Sequence, residues 1–267
     1  DRNPSKIWVT TSLEFCMFRK AQVKEVIAVQ LSLSTIYLLP CEGGYLQIDT
    51  GYEKDFQLYQ SQLQKLQISL EQIQLLVLTH HHDDHSGFLN NLTRGSDLRI
   101  IAHEKSVPLL QSGENDKSRG GGYVSKLVSV LAGLKMRLDP DWTLSFPSFD
   151  LREKDILVSK ADDHVLREFG VPGKIIPTPG HCIDHLSLVL DRGAAFVGDA
   201  TADMMRWAGT KYCTVFMTDM PTAYQSWDRL LEAGSKEIFP AHGKPFSAEK
   251  LRNHRGRISN QDLIPFF

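Results

Sequence analysis

Cysteine is scarce and scattered: the four in this 267-residue chain, Cys16, Cys41, Cys182 and Cys213, form no C-x-x-C pair. That excludes a disulfide scaffold and a zinc knuckle, and reads as reduced thiols of a cytoplasmic protein. An excess of one charge is also missing. Lys and Arg number 30 against 32 Asp and Glu, a formal net charge of -2, so no nucleic-acid partner is expected. No apolar run reaches membrane-spanning length, and "DRNPSKIWVTTSLEF" lacks a basic stretch followed by an apolar one. Neither a membrane partner nor a secretory leader is therefore expected. At 42% hydrophobic and 23% charged, the chain has the balance of a globular protein able to bury a substantial core.

Short β-branched and aromatic runs punctuated by turns fill the first part. "VKEVIAVQLS", "STIYLLP" and "GYLQIDTG" predict sequential antiparallel strands. "EKDFQLYQSQLQKLQ" has the three-to-four-residue apolar spacing of an amphipathic helix, "QLLVLT" reads as a buried strand, and "SGFLNNL" starts another helix. Residues 112 to 122, "SGENDKSRGGG", break the pattern and predict a mobile loop, with a helix over 123 to 138 after it. The second half repeats the style with strands "DILVSK", "KIIPTPG", "HLSLVLDR" and "AAFVGD", then helix "TAYQSWDRLLEAG", strand "EIFPAHG" and helix "SAEKLRNHRG". Two β-rich halves flanked by helices predict two sheets face to face with helices outside. Residues 1–267 are expected to form one domain, with 104–145 as an insertion able to act as a lid over a cleft.

Histidine is concentrated rather than scarce: "VLTHHHDDHSG" carries four of the ten, directly after an apolar run. In an extended chain His80 and His82 project to one side and His81 to the other. Asp84 continues the spacing and His85 follows as the chain turns into a helix. The resulting H-x-H-x-D-H offers four nitrogen or oxygen donors suited to a divalent metal, either in one closed tetrahedral site or split between two ions. A split needs more ligands. His181 after "KIIPTPG", Asp199 after "AAFVG" and His242 after "EIFPA" each follow an apolar strand with small or turn-forming neighbours, which argues for convergence on one site. His81 and Asp83 read as spacers, and His103, His164, His185 and His254 as structural.

From "YLQIDTG" through "THHHDDHSG", "TPGHCIDHLSLVL" and "FVGDA" to "PAHG", the chain resembles the metallo-β-lactamase fold superfamily of metal-dependent hydrolases, on its glyoxalase II-like or lactonase-like branch. The resemblance implies an α/β fold, a four-layer αββα sandwich of two mainly antiparallel or mixed sheets with helices outside and metals at one edge. It implies one ion on His80, His82 and His181, another on Asp84, His85 and His242, and Asp199 bridging them. Zinc is the first expectation for both ions, with iron or manganese served by the same donors. Such a pair shares a water and lowers its pKa, giving a bridging hydroxide nucleophile, with Asp84 as the catalytic residue that orients it and passes a proton onward. Asp49 in "LQIDTG" has a family counterpart that supports the ligand-bearing loop. Asp199 stands where β-lactamases of this fold generally carry cysteine or serine, which argues against antibiotic hydrolysis.

The substrate is less legible. "ATADMMRWAGTKYCTVFM" offers Met204, Met205, Arg206, Trp207, Tyr212 and Phe216 as a pocket for an acyl or ring group. A small carboxylic ester, lactone or thioester is the first expectation. Arg206 suits a carboxylate or a phosphate, so phosphodiesterase is the alternative. A non-catalytic metal-binding sensor or scaffold is a further alternative.

Overall fold

The computed structural model describes residues 26–116, 120–139 and 144–266. Strands β1 (Ile27–Gln30), β2 (Thr35–Cys41) and β3 (Gly44–Ile48) form an antiparallel meander, as their apolar runs predict. In β2, Ile36 and Leu38 enter one apolar cluster while Tyr37 and Leu39 enter another, the alternation of a strand buried on both faces. Then come α1 (Phe56–Lys65), β4 (Ile73–Val77), α2 (Asp83–Ser86), α3 (Leu89–Thr93), β5 (Arg99–His103) and α4 (Ser106–Ser112). Next are β6 (Gly122–Tyr123), α5 (Lys126–Leu138) and β7 (Ile156–Val158). Parallel pairing of β3, β4, β5 and β7 completes a mixed six-stranded sheet.

The second half contributes β8 (Gly173–Pro177), β9 (Leu186–Leu190), β10 (Ala194–Phe196), β11 (Phe216–Met217) and α6 (Met220–Glu232). It ends with β12 (Glu237–Phe239), β13 (Phe246–Ser247), α7 (Glu249–His254) and β14 (Ile264–Pro265). A five-stranded sheet runs in the order β13-β12-β10-β9-β8, antiparallel except where β10 meets β12. Between the two sheets lie Leu39, Leu46, Leu75 and Val77 from one and Ile175, Leu186, Leu188 and Phe196 from the other. Outside, Tyr59 and Leu63 of α1 and Leu89 and Leu92 of α3 cover the six-stranded sheet, and Trp227 and Leu230 of α6 cover the five-stranded one. Burying each such side chain contributes about 1.5–3 kcal/mol, so amphipathic alternation and helix stripes together dictate the expected αββα layering.

Some expectations need correction. A third sheet, β11-β6-β14, joins two-residue strands from three distant places. Gly122 and Tyr123 form its middle strand, so the end of the predicted mobile loop 112–122 is regular structure. At the loop's start Phe146 N–H bonds Gly113 and Asn115 N–H bonds Leu144, while 117–119 lie outside the described residues. The helix read in "SGFLNNL" is α3, with a separate short helix, α2, inside the histidine run; the helix expected from 123 begins at Lys126, where Ser125 Oγ accepts the Val128 N–H as an N-cap.

Candidate metal centre

Every donor singled out in the sequence follows the carboxyl end of a strand at one edge between the sheets: His80 and His82 after β4, His181 after β8, Asp199 after β10 and His242 after β12. Short backbone bonds hold these ends together, with Leu186 N–H on Thr79 at 2.7 Å and Thr35 N–H on Ala241 at 2.8 Å. Two glycines are needed for this crowding. A Cβ on Gly198, whose φ is +46°, would lie 2.4 Å from Thr79 Oγ1, and one on Gly87 would lie 2.5 Å from the Glu53 nitrogen.

Two groups of side chains converge. The rings of His80, His82 and His181 stand 4.6 to 4.9 Å apart, and His82 Nδ1 lies 2.9 Å from His181 Nε2. Beside them, His242 Nε2 is 3.1 Å from Asp84 Oδ2, and His85 Nε2 is 3.6 Å from Asp84 Oδ1. Asp199 spans both groups: its Oδ2 lies 3.5 Å from His181 Nε2, and its Oδ1 lies 3.3 Å from His242 Nε2 and 3.6 Å from His85 Nε2.

The surroundings fix which nitrogen four of the five rings turn inward. Thr79 donates its hydroxyl proton to Asp49 Oδ2, so His80 Nδ1–H donates to Thr79 Oγ1 at 3.0 Å and leaves Nε2 as a lone pair facing the site. His85 Nδ1 donates to Asp49 Oδ2 at 2.9 Å, His181 Nδ1 to the Phe216 carbonyl at 2.8 Å and His242 Nδ1 to the Leu33 carbonyl at 3.0 Å. Anchoring one ring nitrogen outward and aiming the other inward is how proteins orient metal ligands. Among the described residues, His80 Nε2, His85 Nε2 and Asp199 Oδ1 are buried with no hydrogen-bond partner. Such orphans are costly unless something binds them, and divalent cations fit this donor set.

Electrostatics agree. Burial, helped by the neighbouring histidines, holds His80 and His82 well below the usual imidazole range, which favours neutral rings able to act as metal ligands. Burial opposes charge on His85 too, but the carboxylates of Asp84, Asp49 and Asp199 push it up to about 10. His242 rises to about 9 against burial through Asp199 and Asp84. Burial works against ionised Asp84, yet His85 and His242 hold its carboxyl far below the ordinary range. The carboxylates thus create a buried demand for positive charge, which protons on His85 and His242 or bound cations would satisfy.

Three residues read as spacers or structural take part. His185 Nε2 accepts the backbone N–H of Asp199 at 3.0 Å while its Nδ1–H donates to Thr178 Oγ1, which fixes the loop carrying the carboxylate that spans the two groups. The His81 ring lies 4.6 Å from that of His82 but uses both nitrogens elsewhere, its Nδ1 donating to Asp184 Oδ1 at 2.9 Å and its Nε2 accepting the Asp116 N–H at 3.1 Å. Asp83 exchanges two hydrogen bonds with Asn115, at 2.8 and 2.9 Å, and burial beside the Asp84 carboxylate pushes it up to about 6. Asp184 carried no signal in the sequence beyond its place in "HCIDH".

A cavity of about 360 Å³ opens from the donors. Its walls include Val128, Leu131 and Ala132 of α5, the aromatics Tyr123, Phe216 and Phe266, and Met204 and Met205. Arg206, Trp207 and Tyr212 are not among its lining residues. Met205, Lys211 and Tyr212 have left-handed φ angles, and the segment between them turns through Arg206–Ala208. Arg206 pairs with Asp203 at 2.6 Å, Trp207 is 74% exposed, and Tyr212 packs on Phe246.

The model of the metallo-beta-lactamase superfamily matches residues 31–242, and the chain belongs to that family of metal-dependent hydrolases. It is 25% identical over 246 residues to a "Beta-lactamase-like protein 2 homolog" of Drosophila melanogaster, covering 90% of this chain and 70% of that one. The "Probable metallo-hydrolase YflN" of Bacillus subtilis is 23% identical, covering 91% and 92%. The crystal structure of the superfamily protein ST1585 from Sulfolobus tokodaii shares the fold with a TM-score of 0.58 at 20% identity, covering 87% of this chain and 85% of that one.

Proposed function

We propose that this protein is a dinuclear metal hydrolase, zinc being the expected ion, acting on small apolar carboxylic esters, lactones or thioesters. The observation that carries the reading is the cavity: an apolar chamber meeting the donor cluster, with Lys135 the only lysine or arginine among its described lining residues. An apolar acyl or ring group suits these walls, which beyond the donors offer few polar partners for a phosphodiester's flanking groups. Arg206, the residue that kept phosphodiesterase in view, is committed to Asp203.

His80, His82 and His181 would hold one ion, Asp84, His85 and His242 the other, and Asp199 would touch both. When bound, the ions supply Lewis-acid polarisation of the acyl oxygen and a water of lowered pKa. The chain's own part is positional. Asp49 steers His85 directly and His80 through Thr79. Asp84, ionised and partly open to the cavity, takes a proton on its carboxylate and returns it to the leaving group. Helix α5, within the 104–145 insertion, roofs the chamber and keeps bulk water from the acyl group. The buried free thiols of Cys182 and Cys213 support a reducing, cytoplasmic setting.

The test is a substrate panel on the zinc-loaded protein: turnover of aryl esters, lactones or thioesters with silence on bis-aryl phosphates is expected. The opposite order makes it a phosphodiesterase, and silence on every substrate makes it a metal-binding sensor.

A further inference from the structure

Helix α5 carries apolar side chains on two sides. Val128, Leu131 and Ala132 look into the cavity. On the solvent side, Leu127, Val130, Leu134 and Leu138 recur at three-to-four-residue spacing and are 44, 66, 51 and 73% exposed. A scattered exposed leucine needs no explanation, but a continuous stripe does. Lys126 and Arg137 are exposed beside it, and no Asp or Glu occurs between Ser125 and Leu138. The Ser125 hydroxyl donates to the Ala208 carbonyl at 2.6 Å, which seats the Arg206–Ala208 turn, with exposed Trp207, against the start of α5.

We propose that α5 and Trp207 form a docking face for an anionic phospholipid surface. An apolar stripe flanked by lysine and arginine, with a tryptophan at its end, is the pattern of a helix lying in the plane of a membrane interface. The face does not suit a second copy. A helix of this length is about 20 Å long and about 10 Å wide, roughly 200 Å² in plan, against the roughly 800 Å² per partner of a stable pair. A two-fold pairing of α5 with itself would also bring basic residues together with no acidic partner on the helix, whereas an anionic leaflet complements them. A lipid surface departs from the expectation of no membrane partner, which rested on the lack of a spanning run; no helix among the described residues is long and apolar enough to cross a membrane. Lying on a membrane requires no such length. The same helix roofs the cavity, so docking would bring a lipid surface beside the chamber's apolar wall.

The test is co-sedimentation of the full zinc-loaded chain with vesicles of phosphatidylcholine alone or mixed with phosphatidylserine. Binding to the mixed vesicles, weakened by added salt, is expected. The double variant V130E/L134E should bind at least about tenfold more weakly with an unchanged melting temperature, since both positions are exposed. K126E/R137E should lose the preference for phosphatidylserine. No binding by the wild type, or equal binding by V130E/L134E, overturns the proposal. So does a wild-type dimer that V130E/L134E splits into monomers, which would assign the face to a second copy. Vesicle binding reads no turnover, so the outcome is separate from that of the substrate panel.

Discussion

The Nε2 of His185 accepts the backbone N–H of Asp199 at 3.0 Å, so a histidine outside the donor set holds the carboxylate that spans it. Replacing it with phenylalanine would leave that buried N–H unpaired and free the loop. His185→Phe is expected to weaken metal affinity about 10- to 100-fold in a chelator competition, whereas His185→Gln, which keeps an acceptor, should recover part of the loss.

Asp49 works from the opposite sheet. Its carboxylate accepts from His85, from the Thr79 hydroxyl and from the Thr79 N–H, at a left-handed φ of 61° that few side chains tolerate. Asp49→Asn lacks the charge that polarises His85. It should lower metal affinity about 10- to 100-fold by the same competition.

The ion-free protein should have a domed stability profile. His85 and His242 have folded pKa values near 10 and 9, above the ordinary 6.5, so their stabilising contribution is complete below about 6.5 and disappears as pH rises through 9 and 10. His80 and His82 are shifted the other way and lose stability as pH falls below 6.5. Melting temperature without metal should therefore peak near pH 6.5 and fall on either side of it. Metal uptake at neutral pH should release about two protons, one each from His85 and His242, measurable by calorimetry in buffers of different ionisation enthalpy.

His81 and Asp83 tie the segment at Asn115 and Asp116 to the metal loop. His81→Ala should speed amide exchange across 113–116 by roughly three- to tenfold, the loss of one hydrogen bond, while bound metal stays unchanged. Loss of metal together with the exchange protection would assign His81 to the centre itself.

The seven donors were legible because their signals are local: His80, His82, Asp84 and His85 share one run, and His181, Asp199 and His242 each follow an apolar strand with small or turn-forming neighbours. The two main sheets were legible for a similar reason, since strands such as β2 and β9 declare themselves by composition. What stayed hidden depends on distance. His81 meets Asp184 across 103 positions, and nothing local distinguishes it from a spacer. The third sheet is built from two-residue strands too short to carry a period, and it places Phe266 on the cavity wall. Arg206, Trp207 and Tyr212 have the chemistry of a pocket, but composition does not reveal the turns of their segment, and they lie outside the cavity lining.

The most direct test of the two-ion account is a zinc titration of the chelated protein, followed at each point by bound metal and by ester turnover. Two zinc ions per chain are expected, with hydrolysis reaching its maximum only as the second site fills. Saturation at one ion or fewer, or hydrolysis undiminished after chelation, would contradict it.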